Sequence, residues 1–275
     1  MLSIRDITNK YLGKWGRPLS VNTDVYGYSH RDLQGRLFGT LTPLDILPGA
    51  GTSAAPTTRS IRRHLQTIQG VSVDLVGFLL ERPTNDLSID WMKIQFGTQV
   101  ARDIFAQINL GIRRITWRLI HHTEAQSYLQ INNPKADANR LTRAYSGPGG
   151  GIDVFFVQTI DGFSGFAPEV PGPASKEESG SGVLVAIANR LGAWIGRNIA
   201  HEVGHYLGLP HIDRPQNLMC SDDNGPLGVK CDAVWPSISI TDDQAEIMKR
   251  HPVLNPRIPD GPNGEPDIPP RLQQH

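Results

Sequence analysis

The residues best equipped for chemistry stand together in the run His201-Glu202-Val203-Gly204-His205-Tyr206-Leu207-Gly208-Leu209-Pro210-His211. His201 and His205 are four positions apart, so on a helix both imidazoles leave from one face and can hold one metal ion. Glu202 lies at the edge of that face, placed to take a proton from a water that the metal acidifies, without ligating the metal itself. Gly208 supplies a residue able to adopt positive φ where the helix must stop. The chain then turns and returns His211 as a third nitrogen ligand. Three imidazoles with one open position form the layout that zinc uses in catalysis.

Such a site needs a firm helix beneath it, and the sequence predicts one from about Leu191 to Leu207. Leu191, Trp194, Ile195 and Ile199 give it an apolar stripe to bury. Upstream, Val73 to Leu80 is an apolar run of strand length, and Ser88 to Leu110 reads as a long helix. The helix carries Trp91, Ile94, Val100, Ile104, Phe105 and Ile108 near a 3.6 period. Arg114 to Ile120, Ile152 to Ile160 and Gly182 to Ala188 read as further strands. Thr241 is an N-cap candidate, with Asp242 and Asp243 in the first turn of a helix that should stop before Pro252. This order predicts an α/β (α+β) architecture. It has a mixed, mostly parallel twisted sheet, a long backing helix and a site-bearing helix.

Composition narrows the function classes. The 275 residues are 39% hydrophobic and 20% charged, with Lys+Arg 27 against Asp+Glu 27. A chain of zero formal charge has no electrostatic footprint for nucleic acid, and no apolar run is long enough to span a bilayer. A monomer is the default. Residues 1–70 read as an N-terminal extension with short strands at Val25 to Tyr28 and Leu37 to Leu41. A Gly/Pro-rich linker over 44–58 and a short helix from Arg59 to Gln69 complete it. Residues 71–251 carry the regular elements and the histidine run, the span that the family resemblance described below makes a catalytic domain, and 252–275 read as a Pro-rich tail, extended or disordered. No Sec-type signal peptide is recognisable at the start, and export by another route is favoured over a cytoplasmic location.

His201 to His211 matches HEXXHXXGXXH, and Met219 follows His211 by eight residues in Pro215-Gln216-Asn217-Leu218-Met219-Cys220. On these residues the chain resembles the metzincin clan of zinc endopeptidases, with a matrixin-like spacing from histidine to methionine. The resemblance implies one catalytic Zn²⁺ on His201, His205 and His211, with Glu202 as general base and then acid. Met219 would lie in a Met-turn beneath the metal, within a small C-terminal subdomain that ends in the last helix. It implies that Gly162, Phe163, Ser164, Gly165 and Phe166 form an edge strand that pairs with a peptide substrate. It also implies that residues 220–240 line the pocket for the side chain after the cleaved bond. The position two residues after Met219 is Ser221, so the tyrosine that assists some members has no counterpart. No cysteine stands upstream of the site, so any latency does not use one.

Other residues carry weaker readings. Cys220 and Cys231 are spaced for a single bridge, with two free thiols as the alternative. Asp222, Asp223 and Asn224 offer oxygens for Ca²⁺, although a solvated turn accounts for them better. His121 and His122 end a strand, where neighbouring side chains point to opposite faces, so no second metal site is expected there. His251 is placed to cap the last helix at its negative end. The functional expectation is a zinc-dependent endopeptidase acting on a protein or peptide. The alternatives are a zinc-dependent hydrolase of a non-peptide amide and a non-catalytic zinc module that docks a protein.

Overall fold

The computed structural model describes residues 71–83, 88–147, 150–176, 180–190, 192–214, 217–220 and 238–254. The elements expected before residue 71, the tail after 254, Asp222 to Asn224, Cys231 and most of the 220–240 segment lie outside the described residues.

The first apolar run forms β1 (Ser72–Leu80), buried along nearly its whole length as a strand covered on both faces must be. The long helix α1 (Ser88–Ala106) carries the chain across to β2 (Gly111–Ile120), which lies parallel to β1. A short helix α2 (His122–Ala125), β3 (Gln130–Ile131) and α3 (Pro134–Tyr145) follow. Then come β4 (Ile152–Val157), β5 (Thr159–Ile160), β6 (Gly165–Phe166) and β7 (Gly182–Ala186). The last helices are α4 (Gly192–Tyr206) and α5 (Asp242–Lys249). The main sheet has the order β2-β1-β4-β7-β6. Its first four strands are parallel, and β6 runs antiparallel on β7 at the edge. This is a mixed α/β fold with a mostly parallel sheet.

One face of that sheet is covered by α1 and α4. Leu75, Val154 and Val185 from the strands meet Ile104, Ile195 and Ile199 from the helices in one apolar cluster. Each such side chain contributes roughly 1.5–3 kcal/mol when fully buried. The two helices approach closely because glycines face each other: a Cβ on Gly97 would sit 2.9 Å from the backbone nitrogen of Gly196. Leu218, Met219, Ile238, Ala245 and Met248 join the same cluster, so the C-terminal elements share the core of the sheet. No helix among the described residues is long and apolar enough to cross a membrane.

The elements differ from the sequence expectation in several places. The long helix stops at Ala106 rather than Leu110, because Asn109 turns left-handed at φ +57° and the Leu110 N–H closes back onto Phe105 O at 3.2 Å. The expected single strand from Ile152 to Ile160 is two strands. The N–H groups of Gln158 and Thr159 turn to Leu129 O, and β5 pairs with β3 in a separate two-stranded sheet. The strand pairing of β6 covers only Gly165–Phe166, while Gly162 sits at φ +73° in the preceding turn. Finally, α3 was not expected. Its start carries Asn133 as N-cap to the Ala136 N–H at 3.4 Å, with Pro134 in the first turn. Asp137 holds the N–H groups of Asn132 and Asn133 at 3.0 Å each.

Candidate metal centre

Helix α4 presents His201 and His205 one turn apart, both buried, with Glu202 buried beside them. The helix ends at Tyr206, and Gly208 takes φ +102°, a conformation that costs other residues a Cβ clash. That reversal lets the Leu209 N–H bond Gly204 O at 3.0 Å and aims the Leu209 carbonyl back at the helix. Three residues after Gly208, His211 reaches the other two rings. Its Nε2 lies 3.1 Å from Nε2 of His201 and 2.9 Å from Nε2 of His205.

These separations suit three ligands of a common ion. Metal–nitrogen bonds of about 2.0–2.1 Å in a tetrahedral site put neighbouring nitrogens ~3.3 Å apart. The outer nitrogens are fixed by backbone carbonyls: Nδ1 of His201 lies 2.7 Å from Leu218 O, and Nδ1 of His205 lies 2.6 Å from Leu209 O. With Nδ1–H donating, each Nε2 lone pair faces the shared centre, the orientation that partners beyond the ligands impose at metal sites. Burial holds His201 well below its ordinary pKa and lowers His205 to about 4, with neighbouring charges adding to both effects. Both rings are therefore neutral near pH 7 and ready to ligate. The three histidines fit a divalent transition ion.

Glu202 accepts no hydrogen bond from the described residues. Burial raises its carboxyl to about 8, opposed in part by the Arg197 guanidinium. It faces a cleft of about 880 Å³, bounded by Gly165 and Phe166 on one side and by Trp194, Glu202 and His211 on the other.

Beneath the histidines runs the turn that carries Met219. The Cys220 N–H bonds Asn217 O at 3.1 Å, and the Asn217 side-chain carbonyl accepts the Met219 N–H at 2.8 Å. Met219 is fully buried, and a Cβ on Gly204 would meet its Sδ at 2.9 Å, so the methionine packs directly under the site helix. Cys220 is disulfide-bonded, which leaves it no thiolate to offer a metal, and Cys231 lies outside the described residues.

Three residues that position this turn escaped the sequence reading. Arg197 donates from Nη2 to Leu218 O at 2.8 Å and to Cys220 O at 2.9 Å, tying the turn to α4. Asn217 and Gln244 exchange side-chain hydrogen bonds at 2.8 and 3.1 Å, tying it to α5. The signal for Arg197 was present: a charged residue one helical turn before His201, on the face that bears the histidine. His251 differs from its expected role as a helix-end charge. Burial lowers its pKa despite the Gly172 carbonyl it bonds at 3.0 Å, so it acts as a neutral link between α5 and that segment.

No family model matches the chain, and no curated protein does. Solved structures that resemble it include metalloproteinase-II from Bacteroides fragilis. That match has 14% identity and a TM-score of 0.45, covering 66% of this chain and 53% of the other. A chaperone–substrate complex matches at 16% identity and a TM-score of 0.31, covering 52% of this chain and 27% of the other. The chain thus spans about half the length of the first of these structures.

Proposed function

We propose that the chain is a zinc-dependent endopeptidase of the metzincin type. The observation that carries this reading is the pairing of two features: three convergent Nε2 atoms with the outer nitrogens of two rings anchored to carbonyls, and a buried carboxylate left without a hydrogen bond. His201, His205 and His211 would hold Zn²⁺, which would supply Lewis-acid polarisation of a carbonyl and acidify water near neutral pH. Glu202 takes the proton from the attacking water and passes it to the leaving amine. Its raised pKa matches both halves of that task, since a base poised near the working pH also serves as an acid. Arg197 and Met219 hold the floor of the site and touch no reacting atom. β6 is the last strand of its sheet, so its far side can pair with an extended peptide and lay it along the cleft.

The test is Glu202→Ala with a mixed peptide library. Internal cuts should fall by about 10²–10⁴-fold while zinc per chain stays the same. Turnover like that of the wild type would refute the mechanism.

A further inference from the structure

Strand β2 ends at Ile120, and the next two residues do not continue it. His121 is extended at φ −64°, ψ 147° and serves as the N-cap of α2, while His122 is already helical. The change of backbone removes the alternation expected of a strand. The two rings lie side by side, with centroids 4.1 Å apart, instead of on opposite faces. Both face Glu81, which follows β1 next door, where the Glu81 N–H bonds Ile120 O at 3.0 Å.

Glu81 is 1% exposed at the side chain, whereas His121 and His122 are 58% and 38% exposed. Its Oε2 accepts the His122 backbone N–H at 3.2 Å. The same oxygen lies 3.3 Å from Nδ1 of His122 and 3.6 Å from Nε2 of His121. Charge-assisted carboxylate–imidazole pairs settle nearer ~2.8 Å. The observed separations fall instead near the ~3.3 Å edge of a tetrahedron of nitrogen and oxygen ligands around a zinc-sized ion. Among the described residues, only two groups bring three such ligand atoms within 4.8 Å of one another, and the other is the centre on α4.

We propose that Glu81, His121 and His122 form a second site for a divalent transition ion of the zinc type. Two imidazole nitrogens and one carboxylate oxygen suit such an ion, and solvent supplies the remaining ligand. The exposed His121 ring gives an entry path, and the buried Glu81 fixes the inner ligand. An outer partner is in place as well. Nδ1 of His121 lies 3.0 Å from Thr123 Oγ1. As the N-cap, Nδ1 also accepts the Thr123 N–H at 3.5 Å, so metal binding through Nε2 moves the ring proton to Nδ1, where Thr123 Oγ1 can accept it. The site lies across the β2–β1 edge of the sheet, three strand positions or more from β6. It therefore does not share the cleft and serves to clamp the end of β1 to the start of α2.

The full chain, stripped with a chelator and refilled with Zn²⁺ alone, should hold two zinc ions by native mass spectrometry. His121→Ala/His122→Ala should hold one and keep its peptidase activity. His211→Ala should lose the other. Glu81→Gln should weaken the second binding event by about tenfold or more, which an adventitious pair of surface histidines would not. Two ions retained in His121→Ala/His122→Ala, or affinity unchanged in Glu81→Gln, would overturn the proposal. A single wild-type ion that vanishes only in His211→Ala would overturn it and leave the α4 centre intact. If Glu81→Gln fails to fold, Co²⁺ decides in the wild type. A second equivalent with four-coordinate visible absorption supports the site, and a purely octahedral spectrum overturns it.

Discussion

Glu202 and Glu81 are both buried beside histidines, yet the fold treats their carboxylates in opposite ways. Glu202 receives no hydrogen bond from the described residues, and burial lifts it to about 8. Glu81 accepts a backbone N–H at 3.2 Å and looks directly into two rings. A carboxylate kept dry and unbonded is a reservoir for a proton, since its charged form has nothing to satisfy it. One anchored by an N–H and aimed at imidazoles has partners for its charged form and can ligate. The histidines differ in the same sense. His201 and His205 are fixed by main-chain carbonyls inside the core, whereas His121 leans on an exposed hydroxyl. The first arrangement would hold geometry tightly enough for the proposed catalysis, and the second would suit an ion that only has to stay.

The sharpest way to break this contrast is the pH dependence of the metal-free protein. Because Glu202 is raised from the ordinary carboxyl range to about 8, its protonated form favours the fold. That contribution is complete below about pH 4.5 and is lost as pH rises toward 8. Glu202→Gln cannot ionise, so relative to wild type it should gain stability over that window, on the order of a few kcal/mol. His201 and His205, whose pKa values are lowered, act in the other direction. Their contribution is present above the ordinary histidine range and lost as pH falls below it. Both proteins share that loss, so it cancels in the difference. Denaturant unfolding in chelator at a series of pH values measures it. A flat difference would mean that the Glu202 carboxylate is solvated, and the distinction between the two glutamates would disappear.

A smaller effect is expected where β6 meets Glu202. A methyl group on Gly165 would collide with the Glu202 carboxylate and lie 2.6 Å from its Cγ. The pairing of Gly165 with Val185 holds the strand, so the glutamate must yield. Gly165→Ala should lower kcat by roughly 10–100-fold, the cost of displacing a catalytic group by an ångström or so, with zinc content unchanged. Unchanged kcat would show that Glu202 works from another position.

How much of this was legible depended on whether the signal lay in spacing or in backbone change. The α4 centre is written in one helical period and one glycine, so His201, Glu202, His205 and His211 could be placed from the sequence before any coordinates. Strands β1 and β7 announced themselves as apolar runs because burial on both faces demands them, whereas β2, at the sheet edge, showed an alternation with Ile115 and Trp117 buried and Thr116 exposed. The Glu81 cluster could not be read, since its members are some forty residues apart and meet only because β1 and β2 are paired with Leu80 opposite Ile120. The strand rule even pointed the wrong way for His121 and His122, because it assumes that the β conformation continues. Helix α3 is a different kind of miss. Asn133-Pro134 followed by Asp137 is a local start signal, and nothing tertiary was needed to see it. Asn217 and Gln244 were invisible for the same reason as Glu81: their pairing joins segments that only the folded core brings together.

The smallest effect separates the two centres by the partner behind a ring. Thr123→Val keeps the β-branched shape at an exposed position of α2 and removes only the oxygen that faces Nδ1 of His121. Without that acceptor, the tautomer with Nε2 free for a metal loses its support. Zinc affinity at the Glu81 cluster should then drop by about tenfold or less, the low end for outer partners of a metal ligand. Zinc binding on α4 should be unaffected, because two of its three rings are held by Leu218 O and Leu209 O, which no side-chain substitution deletes. Competition titrations with a zinc indicator resolve the two binding events. Equal weakening of both would mean that the clusters are coupled through the sheet. Weakening of neither would leave Glu81, and not the histidine tautomer, as the group that sets affinity at the outer site.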